Sequence, residues 1–313
     1  MVSDRLIFED KALISVIMCT YNEPVEWVEE AVNSILCQSY KVIEFIIVVD
    51  DPTNHAIVDF LYSLNDERIR IYINEKNLGL VKSLNRAIKY CKGEYIARMD
   101  ADDISYKNRL ERQLIYLENK KLDLVGCDFL NFDTHGNLSI KKGGYSFEVC
   151  MKLLKIGNYI AHPTWLAKKK LFYDLDGYRE IETCEDYDFL RRAINRGYSV
   201  ANVNEVLFQY RQNNLGISSS NWAKQATITR ILADNYNMGY EVTEKECVDK
   251  LNGKYLKEYD NYVLIRSLRN KYKNSNNIIK KVWSVFQVMR ISTFYYEKYK
   301  KYKSSLLIKG EHR

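Results

Sequence analysis

The amino-acid sequence predicts an α/β protein with a Rossmann-like, mostly parallel central sheet, helices on both faces of it, and a basic helical C-terminal extension. Two observations predict the sheet. Through the first hundred residues, apolar runs of strand length alternate with segments of helical periodicity, and such a βαβαβαβ pattern forms right-handed parallel sheets. The runs lack alternating polar positions, which is typical of strands buried on both faces. A third observation predicts the extension, since residues 251–313 contain 15 Lys and Arg against 4 Asp and Glu.

The predicted elements follow one another closely along the chain. In the first hundred residues we expect strands at 13–19, 42–49, 69–73 and 95–99, separated by helices over 27–36, 57–64 and 80–91. Beyond residue 103 the pattern is looser. There we expect helices over 108–119 and 147–156 and after 183–188, a strand at 123–129, a hairpin turn at 133–137, an edge or short strand at 161–167, two short strands within 198–210, and helices from 222 onward.

Polar residues follow each of the four predicted strands. In open α/β sheets, ligands bind at the carboxyl ends of the strands, so these four ends are expected to form one site. Side chains alternate along a strand, so Asp100 and Asp102 can project to the same side, where Mg²⁺ or Mn²⁺ would offset their repulsion. An isolated Asp-x-Asp is also consistent with a solvated acidic turn, but four polar ends together favour a binding site. They lie at 20–23, 50–51, 77–79 and 100–103.

Missing motifs argue against several other classes of protein. No G-x-G-x-x-G follows the first strand, where residues 20–24 read TYNEP, and no G-x-x-x-x-G-K-[ST] occurs. A Rossmann dehydrogenase and a P-loop NTPase are therefore not expected. The seven cysteines form no C-x-x-C pair, which predicts reduced thiols in a cytoplasmic protein without a zinc or iron–sulfur site. Neither a signal peptide nor a membrane-spanning segment is expected.

The basic C-terminal region predicts a polyanionic partner for that region alone, because the formal charge of the whole chain is only +6. Residues 276–296 combine an apolar helical stripe with Lys280 and Lys281 on another face. Two interpretations stay open: a helix that docks on the protein, or one that lies in the plane of an anionic membrane surface. The aromatic and basic run at 294–303 favours the membrane.

Five motifs occur together and in order. Taken together they resemble the family 2 glycosyltransferases of the GT-A fold, and most of all the bacterial capsule and O-antigen branch of that family. The resemblance covers about residues 13–215. The motifs are SVIMCTYN at 15–22, VVDD at 48–51, NLGL at 77–80, RMDADD at 98–103 and ED at 185–186.

The resemblance implies a role for residues in each motif. A Mn²⁺ or Mg²⁺ ion would be held by Asp102 with Asp100, and Asp186 would be the general base with Glu185 oriented beside it. The nucleotide-sugar would be bound by residues from several motifs: Thr20, Tyr21, Glu23 and Gly79 in the pocket, Asp51 on the uracil with Asp50 beside it, Lys82 on the nucleotide, Arg98 and Asp100 on ribose and phosphate, and Arg211 and Ser218 in a segment that closes over the diphosphate.

The reaction that the resemblance implies is inverting transfer of a sugar, glucose, galactose or an N-acetyl form, from a UDP-sugar to a hydroxyl of a lipid-linked oligosaccharide. Two other functions stay open. A nucleotidyltransferase like the sugar-nucleotide pyrophosphorylases needs a glycine-rich, basic loop after the first strand, which residues 20–24 do not provide. A non-catalytic carbohydrate- or nucleotide-binding module would not need both Asp102 and Asp186.

One position departs from the family. Many members carry Arg immediately before the Asn that is Asn85 here, whereas this chain has Leu84. His162, Trp165 and Asp128 are candidates for acceptor contacts or for structural roles.

We expect a GT-A domain at 1–218, with a nucleotide-sugar half at about 13–105 and an acceptor half at about 106–218, and a helical basic region at 219–313. The expected partners are a UDP-sugar, a polyprenyl-diphosphate-linked saccharide and an anionic inner-membrane surface, with no nucleic acid. The expected location is cytoplasmic, peripheral at the inner face of the bacterial membrane.

Overall fold

The first four strands form the parallel half of the central sheet. The computed structural model describes residues 12–133, 138–141, 146–212, 221–274, 288–289 and 291–311. Strands β1–β4 pair in the order β3-β2-β1-β4, every pair parallel, as predicted from their apolar runs. Strand β2 is buried along its whole length. The bounds are β1 (Ile14–Thr20), α1 (Val25–Leu36), β2 (Ile43–Val49), α2 (His55–Ser63), β3 (Ile69–Ile73), α3 (Leu80–Tyr90) and β4 (Tyr95–Asp100).

The second half of the sheet is mixed. It continues from β4 in the order β8-β6-β9-β5, with β7 paired to β6. Here β6 and β9 are parallel, whereas the pairs β4–β8, β6–β8, β6–β7 and β5–β9 are antiparallel. The elements are β5 (Ile104–Ser105), α4 (Arg109–Asn119), β6 (Leu124–Phe132), β7 (Leu138–Lys141), α5 (Phe147–Leu154), a 3₁₀ turn (His162–Thr164), β8 (Leu166–Lys168), α6 (Lys169–Asp174), α7 (Glu185–Asn195) and β9 (Val200–Arg211).

The structure modifies two predictions for this half. The segment 161–167 was expected to be an edge or short strand; a short strand is present, but it covers only Leu166–Lys168, and it is not at an edge, because β8 lies between β4 and β6 within the sheet. Instead of two short strands within 198–210, there is one twelve-residue strand, β9. Its pairing with β6 shifts register around Asp128. This irregularity interrupts the alternation of inward and outward side chains from which strands are predicted. Of the predicted hairpin turn, residues 134–137 lie outside the described residues.

The chain forms two compact units. The first contains Met1–Cys150, Tyr159–Glu180 and Arg192–Asn213, and the second contains Met151–Asn158, Ile181–Arg191 and Asn214–Arg313. The second unit includes α8 (Trp222–Asn237), α9 (Glu244–Asn252), α10 (Leu256–Asn274) and α11 (Ser292–Glu311). A buried cluster joins α8 and α9 to the residues just before and within α7: Ile181, Cys184, Tyr187, Ile228, Ile231, Leu232, Ala233, Tyr236, Val242, Cys247, Leu251 and Tyr255.

The amphipathic helix predicted over 276–296 lies largely outside the described residues, which exclude 275–287 and 290. Among the helices that the structure does describe, none combines the length and the apolar character that crossing a membrane requires.

The turn before β4 leaves no room for a side chain at Gly93. A Cβ atom there would lie 2.4 Å from the Leu13 carbonyl oxygen and 2.8 Å from the Ser15 amide nitrogen. The turn is also held by hydrogen bonds, since the buried Glu44 carboxylate accepts one from the Ser15 hydroxyl and one from the Gly93 amide. Because the clash is with the backbone of Leu13, just before β1, and of Ser15 within β1, relief requires the backbone itself to shift.

We therefore expect Gly93→Ala to lower the free energy of unfolding by about 1–3 kcal/mol, the usual cost of overpacking. Denaturant titration measures this, with Glu94→Ala at the neighbouring exposed position as the control, which should stay within about 0.5 kcal/mol of wild type. Equal stability of the two variants would contradict the packing described for this turn.

Candidate functional site

An acidic turn follows β4. Carboxylate oxygens of Asp100, Asp102 and Asp103 all lie within 4.8 Å of one another. The side chain of Asp103 is buried, and the other two are half-buried. The sequence predicted Asp100 and Asp102 as metal ligands, and the structure brings these two together. The structure also brings in Asp103. Alternation along an extended strand would place Asp103 on the opposite side, but the chain turns after Asp100, and the turn brings its carboxylate to the other two.

The acidic turn is electrostatically strained without a cation. Burial, and then the charges of Asp100 and Glu23, raise the pKa of Asp102 to about 7. Burial, and then the charges of Asp100 and Asp102, raise the pKa of Asp103 well above its usual range. Asp103 Oδ2 is buried and has no hydrogen-bond partner among the described residues. A set of hard oxygen donors with one buried oxygen unsatisfied fits a divalent cation such as Mg²⁺ or Mn²⁺.

Arg98 lies on β4 with its charge directed at this turn. Its side chain is almost completely buried and forms an ion pair with Asp100. Burial alone would lower the pKa of Arg98, but the charge of Asp100 and its hydrogen bond hold that pKa above its ordinary value. The resemblance gave Arg98 a contact with ribose and phosphate. In the structure Arg98 fixes and partly neutralises Asp100.

The end of β1 gathers several of the predicted residues. Thr20 Oγ1 donates a hydrogen bond to Glu23 Oε2 at 2.7 Å, and the Tyr21 amide donates to the same oxygen at 2.8 Å. The Tyr21 side chain is exposed. The pKa of the Cys19 thiol is raised, chiefly by burial, and it is also acted on by charges from the neighbouring motifs. Those charges belong to Arg98, Asp50, Asp100 and Glu23, which therefore surround the end of this strand.

Asp50 and Asp51 follow β2 but have different surroundings. Asp50 is buried and accepts hydrogen bonds from the Asn74 side chain at 2.5 Å and from the Leu78 and Gly79 amides at 2.8 Å. It thereby fixes the loop before α3, whose Gly79 has φ +86°. Asp51 accepts from the Thr53 hydroxyl and amide, in that order the main causes that lower its pKa, and it stays open to solvent.

Helix α3 carries the next predicted residue and the position that departs from the family. Lys82 is exposed and forms an ion pair with Glu180 at 3.3 Å. Leu84 is completely buried, so this position belongs to the core and not to the ligand-facing surface. Asn85 exchanges two hydrogen bonds with the Tyr178 backbone, at 2.8 and 2.9 Å, and so ties α3 to the loop that contains Glu180.

The three candidate acceptor residues are buried within the first unit. Trp165 and Asp128 are 0% and 2% exposed. His162 makes a 2.8 Å hydrogen bond with the Tyr178 hydroxyl, and burial, followed by the charge of Arg98, lowers its pKa well below the usual range. These positions favour the structural interpretation over direct acceptor contacts.

Glu185 and Asp186 lie in the second unit, at the first turn of α7, and both are half-buried. Asp186 Oδ1 accepts a hydrogen bond from the Tyr187 amide, and Oδ2 accepts one from the Asn158 side chain, both at 2.6 Å. The Tyr187 hydroxyl in turn donates to the Leu154 carbonyl at 2.7 Å. Asn158 was missed by sequence reasoning, because nothing local marks an asparagine 28 residues away as a partner. Ser218 lies outside the described residues.

Arg211, the last residue of β9, lies against the acidic turn. Its amide donates to Asp103 Oδ1 and its Nε to the Asp102 carbonyl oxygen, both at 2.7 Å. Its guanidinium also forms an ion pair with Glu30. The predicted residue is thus at the site, although its described contacts are with the protein itself.

Comparison with known proteins identifies the class. Residues 15–175 match the model of glycosyl transferase family 2. The O-antigen biosynthesis glycosyltransferase WbnJ of Escherichia coli is 32% identical over 244 residues, which cover 72% of this chain and 94% of WbnJ. The chain therefore belongs to glycosyl transferase family 2 and is a glycosyltransferase.

Solved structures share the fold at lower sequence identity. S. aureus TarS in complex with UDP-GlcNAc is similar with a TM-score of 0.58 at 16% identity, over 93% of this chain and 88% of that one. The mannosyltransferase PcManGT of Pyrobaculum calidifontis, in complex with GDP-Man and Mn²⁺, gives 0.59 at 15% identity, over 96% and 86% of the two chains. The predicted GT-A fold with a helical C-terminal region is confirmed.

Proposed function

We propose that this glycosyltransferase is metal-dependent and inverting, and that it moves a sugar from a UDP-sugar to a hydroxyl of a lipid-linked oligosaccharide in surface polysaccharide synthesis. The observation that carries the proposal is the acidic turn, in which Asp100, Asp102 and Asp103 converge beside Thr20 and Glu23. The kinship with an O-antigen glycosyltransferase supports the acceptor class. The UDP-GlcNAc and the GDP-Man with Mn²⁺ in the two similar structures support a nucleotide-sugar and a metal.

The donor is bound by the first unit in this proposal. The uracil of the donor contacts Asp51, whose carboxylate faces solvent, and Tyr21, whose ring is exposed. Asp50 acts indirectly, since its oxygens already hold the loop that contains Gly79. Lys82 supplies a mobile positive charge at the surface of α3. Arg98 pairs with Asp100 and orients it rather than contacting the donor itself.

Asp102, Asp100 and Asp103 would hold the Mn²⁺ or Mg²⁺ ion. Bound there, a divalent cation would supply positive charge that stabilises the diphosphate leaving group as its bond to the anomeric carbon breaks. Without a cation the three carboxylates would repel the diphosphate. A cation requirement therefore follows from the charges of the turn.

Asp186 removes the proton from the acceptor hydroxyl in this proposal. The hydroxyl oxygen attacks the anomeric carbon as the bond to the diphosphate breaks, and its proton passes to the carboxylate. The Asn158 amide and the Tyr187 amide hold the two oxygens of Asp186 in place. A single displacement inverts the anomeric centre, so an α-linked donor gives a β-glycoside.

Thermal shift with UDP in the presence and absence of Mn²⁺ tests the donor half of the proposal. We expect UDP to stabilise the wild-type protein much more strongly with Mn²⁺ than with EDTA, because binding to the folded state raises its melting temperature. GDP is measured in the same assay to compare stabilisation by a guanine nucleotide with stabilisation by a uracil nucleotide. Stabilisation by UDP that is equal with and without the metal would contradict a role for the metal in donor binding.

We also propose that α11 contacts an anionic membrane surface. Among its described side chains, Lys298, Lys301 and Lys303 are exposed beside Tyr302 and Leu306, which are 64% and 51% exposed. Basic residues near such a surface contribute about 1 kcal/mol each, and the attraction weakens with salt. Exposed aromatic and aliphatic side chains on the same helix add an apolar contribution.

Replacing Lys298, Lys301 and Lys303 by Glu should therefore abolish co-sedimentation with vesicles that contain phosphatidylglycerol, and wild-type binding should fall as salt is raised. The same triple replacement at three exposed lysines of the first unit, Lys89, Lys120 and Lys121, is the charge-matched control and should retain most binding. Equal loss in both triple variants, or wild-type binding to neutral vesicles at high salt, would contradict contact through α11.

A further inference from the structure

Arg211 is held by contacts that leave it poorly suited to bind a ligand. Its guanidinium lies over two aromatic rings, 4.9 Å from the centroid of Trp27 and 4.4 Å from that of Phe132. Such placement over ring faces is favourable for a cation. Glu30 neutralises one edge, and the side chain is only 10% exposed. Two rings and a carboxylate therefore already contact the group, and little of it is exposed.

The same residue fixes the acidic turn from two directions. Its backbone amide holds Asp103 Oδ1, and its Nε holds the Asp102 carbonyl oxygen. The second contact is with backbone, so it restrains the path of the chain and leaves the Asp102 carboxylate for another partner. Trp27 and Glu30 lie on α1, and Phe132 ends β6. Arg211, at the end of β9, thus ties the turn to two other elements of the first unit, α1 and β6.

The turn needs such a restraint because three carboxyl groups lie within 4.8 Å of one another and repel each other wherever they are ionised. A flexible turn would relieve the repulsion by opening, and a cation would then have to bring the ligands together at a cost in affinity. Partners that orient metal ligands commonly change metal affinity by about 10- to 100-fold when they are removed. This loss of cation affinity is avoided when the turn already holds its three carboxyl groups close together before the cation binds.

We propose that Arg211 is a positioning residue that holds the Asp100–Asp103 turn in its cation-binding form, and that it does not bind the donor diphosphate. This rests on the proposed function only in taking the turn as the cation site. It differs from the role that the family resemblance implies for Arg211, which is to bind the nucleotide-sugar as part of a segment that closes over the diphosphate.

The test compares two binding constants in each variant: Mn²⁺ alone, followed by the EPR signal of free Mn²⁺, and UDP in EDTA. Arg211→Lys keeps the charge but loses the planar fork, and Arg211→Ala loses both. We expect both variants to bind Mn²⁺ about 10- to 100-fold more weakly while metal-free UDP binding stays within about twofold of wild type. Arg112→Ala, which removes an exposed ion pair with Glu205, should change neither constant.

Glu30→Gln provides a second route in case the Arg211 variants fold poorly, because Glu30 is exposed on α1. It should weaken Mn²⁺ binding in the same direction but less, and the loss should not add to that of Arg211→Lys, since both act through one contact. Unchanged Mn²⁺ binding in all variants, or a loss of metal-free UDP binding with Mn²⁺ affinity intact, overturns the positioning role. A wild type that binds no Mn²⁺ overturns the metal site itself.

Discussion

Replacing Asp186 by Asn should lower the rate of sugar transfer by about 10²- to 10⁴-fold, the range that general-base catalysis usually supplies. Asn keeps the size of the side chain and can still accept the Tyr187 amide bond, so the fold and the binding of UDP with Mn²⁺ should stay close to wild type. The loss should therefore be in kcat and not in donor KM.

Steady-state kinetics with a fixed acceptor, together with calorimetric titration of UDP, separates the two quantities. Glu182→Gln is the matched control, because Glu182 is an exposed carboxylate close to α7 whose described partner is Lys224. It should keep nearly full activity. Wild-type turnover in the Asp186→Asn variant would remove Asp186 from the role of base.

Replacing Asp102 by Asn should have opposite effects on stability and on metal binding. The raised pKa of Asp102, about 7, means that the folded protein favours the protonated form. The stability that goes with protonation is complete below the ordinary carboxyl pKa and is lost as the pH rises toward 7. At pH 8 without metal, the ionised Asp102 is therefore a destabilising charge, and Asn should stabilise the protein by about 1–3 kcal/mol.

The same variant should lose the extra stabilisation that UDP gains from Mn²⁺. In wild type, Mn²⁺ affinity should increase from pH 6 to pH 8, because the proton and the metal compete for one carboxylate. Denaturant titrations at both pH values, with the exposed Asp59→Asn as the control, measure the stability change. A variant less stable than wild type at pH 8 without metal would show that the acidic turn is not under repulsion.

The parallel half of the fold could be predicted because its information is local. Strands β1, β2 and β4 are apolar runs that burial on both faces explains. The helices between the strands predict parallel pairing through right-handed crossovers. The acidic turn was predictable for the same reason, since Asp100 ends a buried strand. Placement of β8 was not, because a three-residue strand between β4 and β6 depends on partners that are distant in the sequence.

The side-chain contacts within the site could not be predicted from the sequence, also because the partners are distant in the chain. Arg211 reaches Asp102 and Asp103 across more than a hundred residues, and Asn158 reaches Asp186 across 28. A family motif marked Arg98 as a ligand residue, but only burial and the Asp100 ion pair reveal that its charge is used within the protein. Sequence pattern identifies which residues belong to a site more readily than it identifies what each one contacts.

The stereochemistry of the product tests the central claim most directly. A panel of α-linked UDP-sugars would be incubated with the protein, Mn²⁺ and a synthetic polyprenyl-diphosphate-linked saccharide, and the new linkage examined by NMR at its anomeric proton. We predict a β-glycoside from one of these donors, formed with Mn²⁺ or Mg²⁺ and abolished by EDTA. An α-glycoside, or a transfer that proceeds at the same rate in EDTA, would contradict metal-dependent inversion.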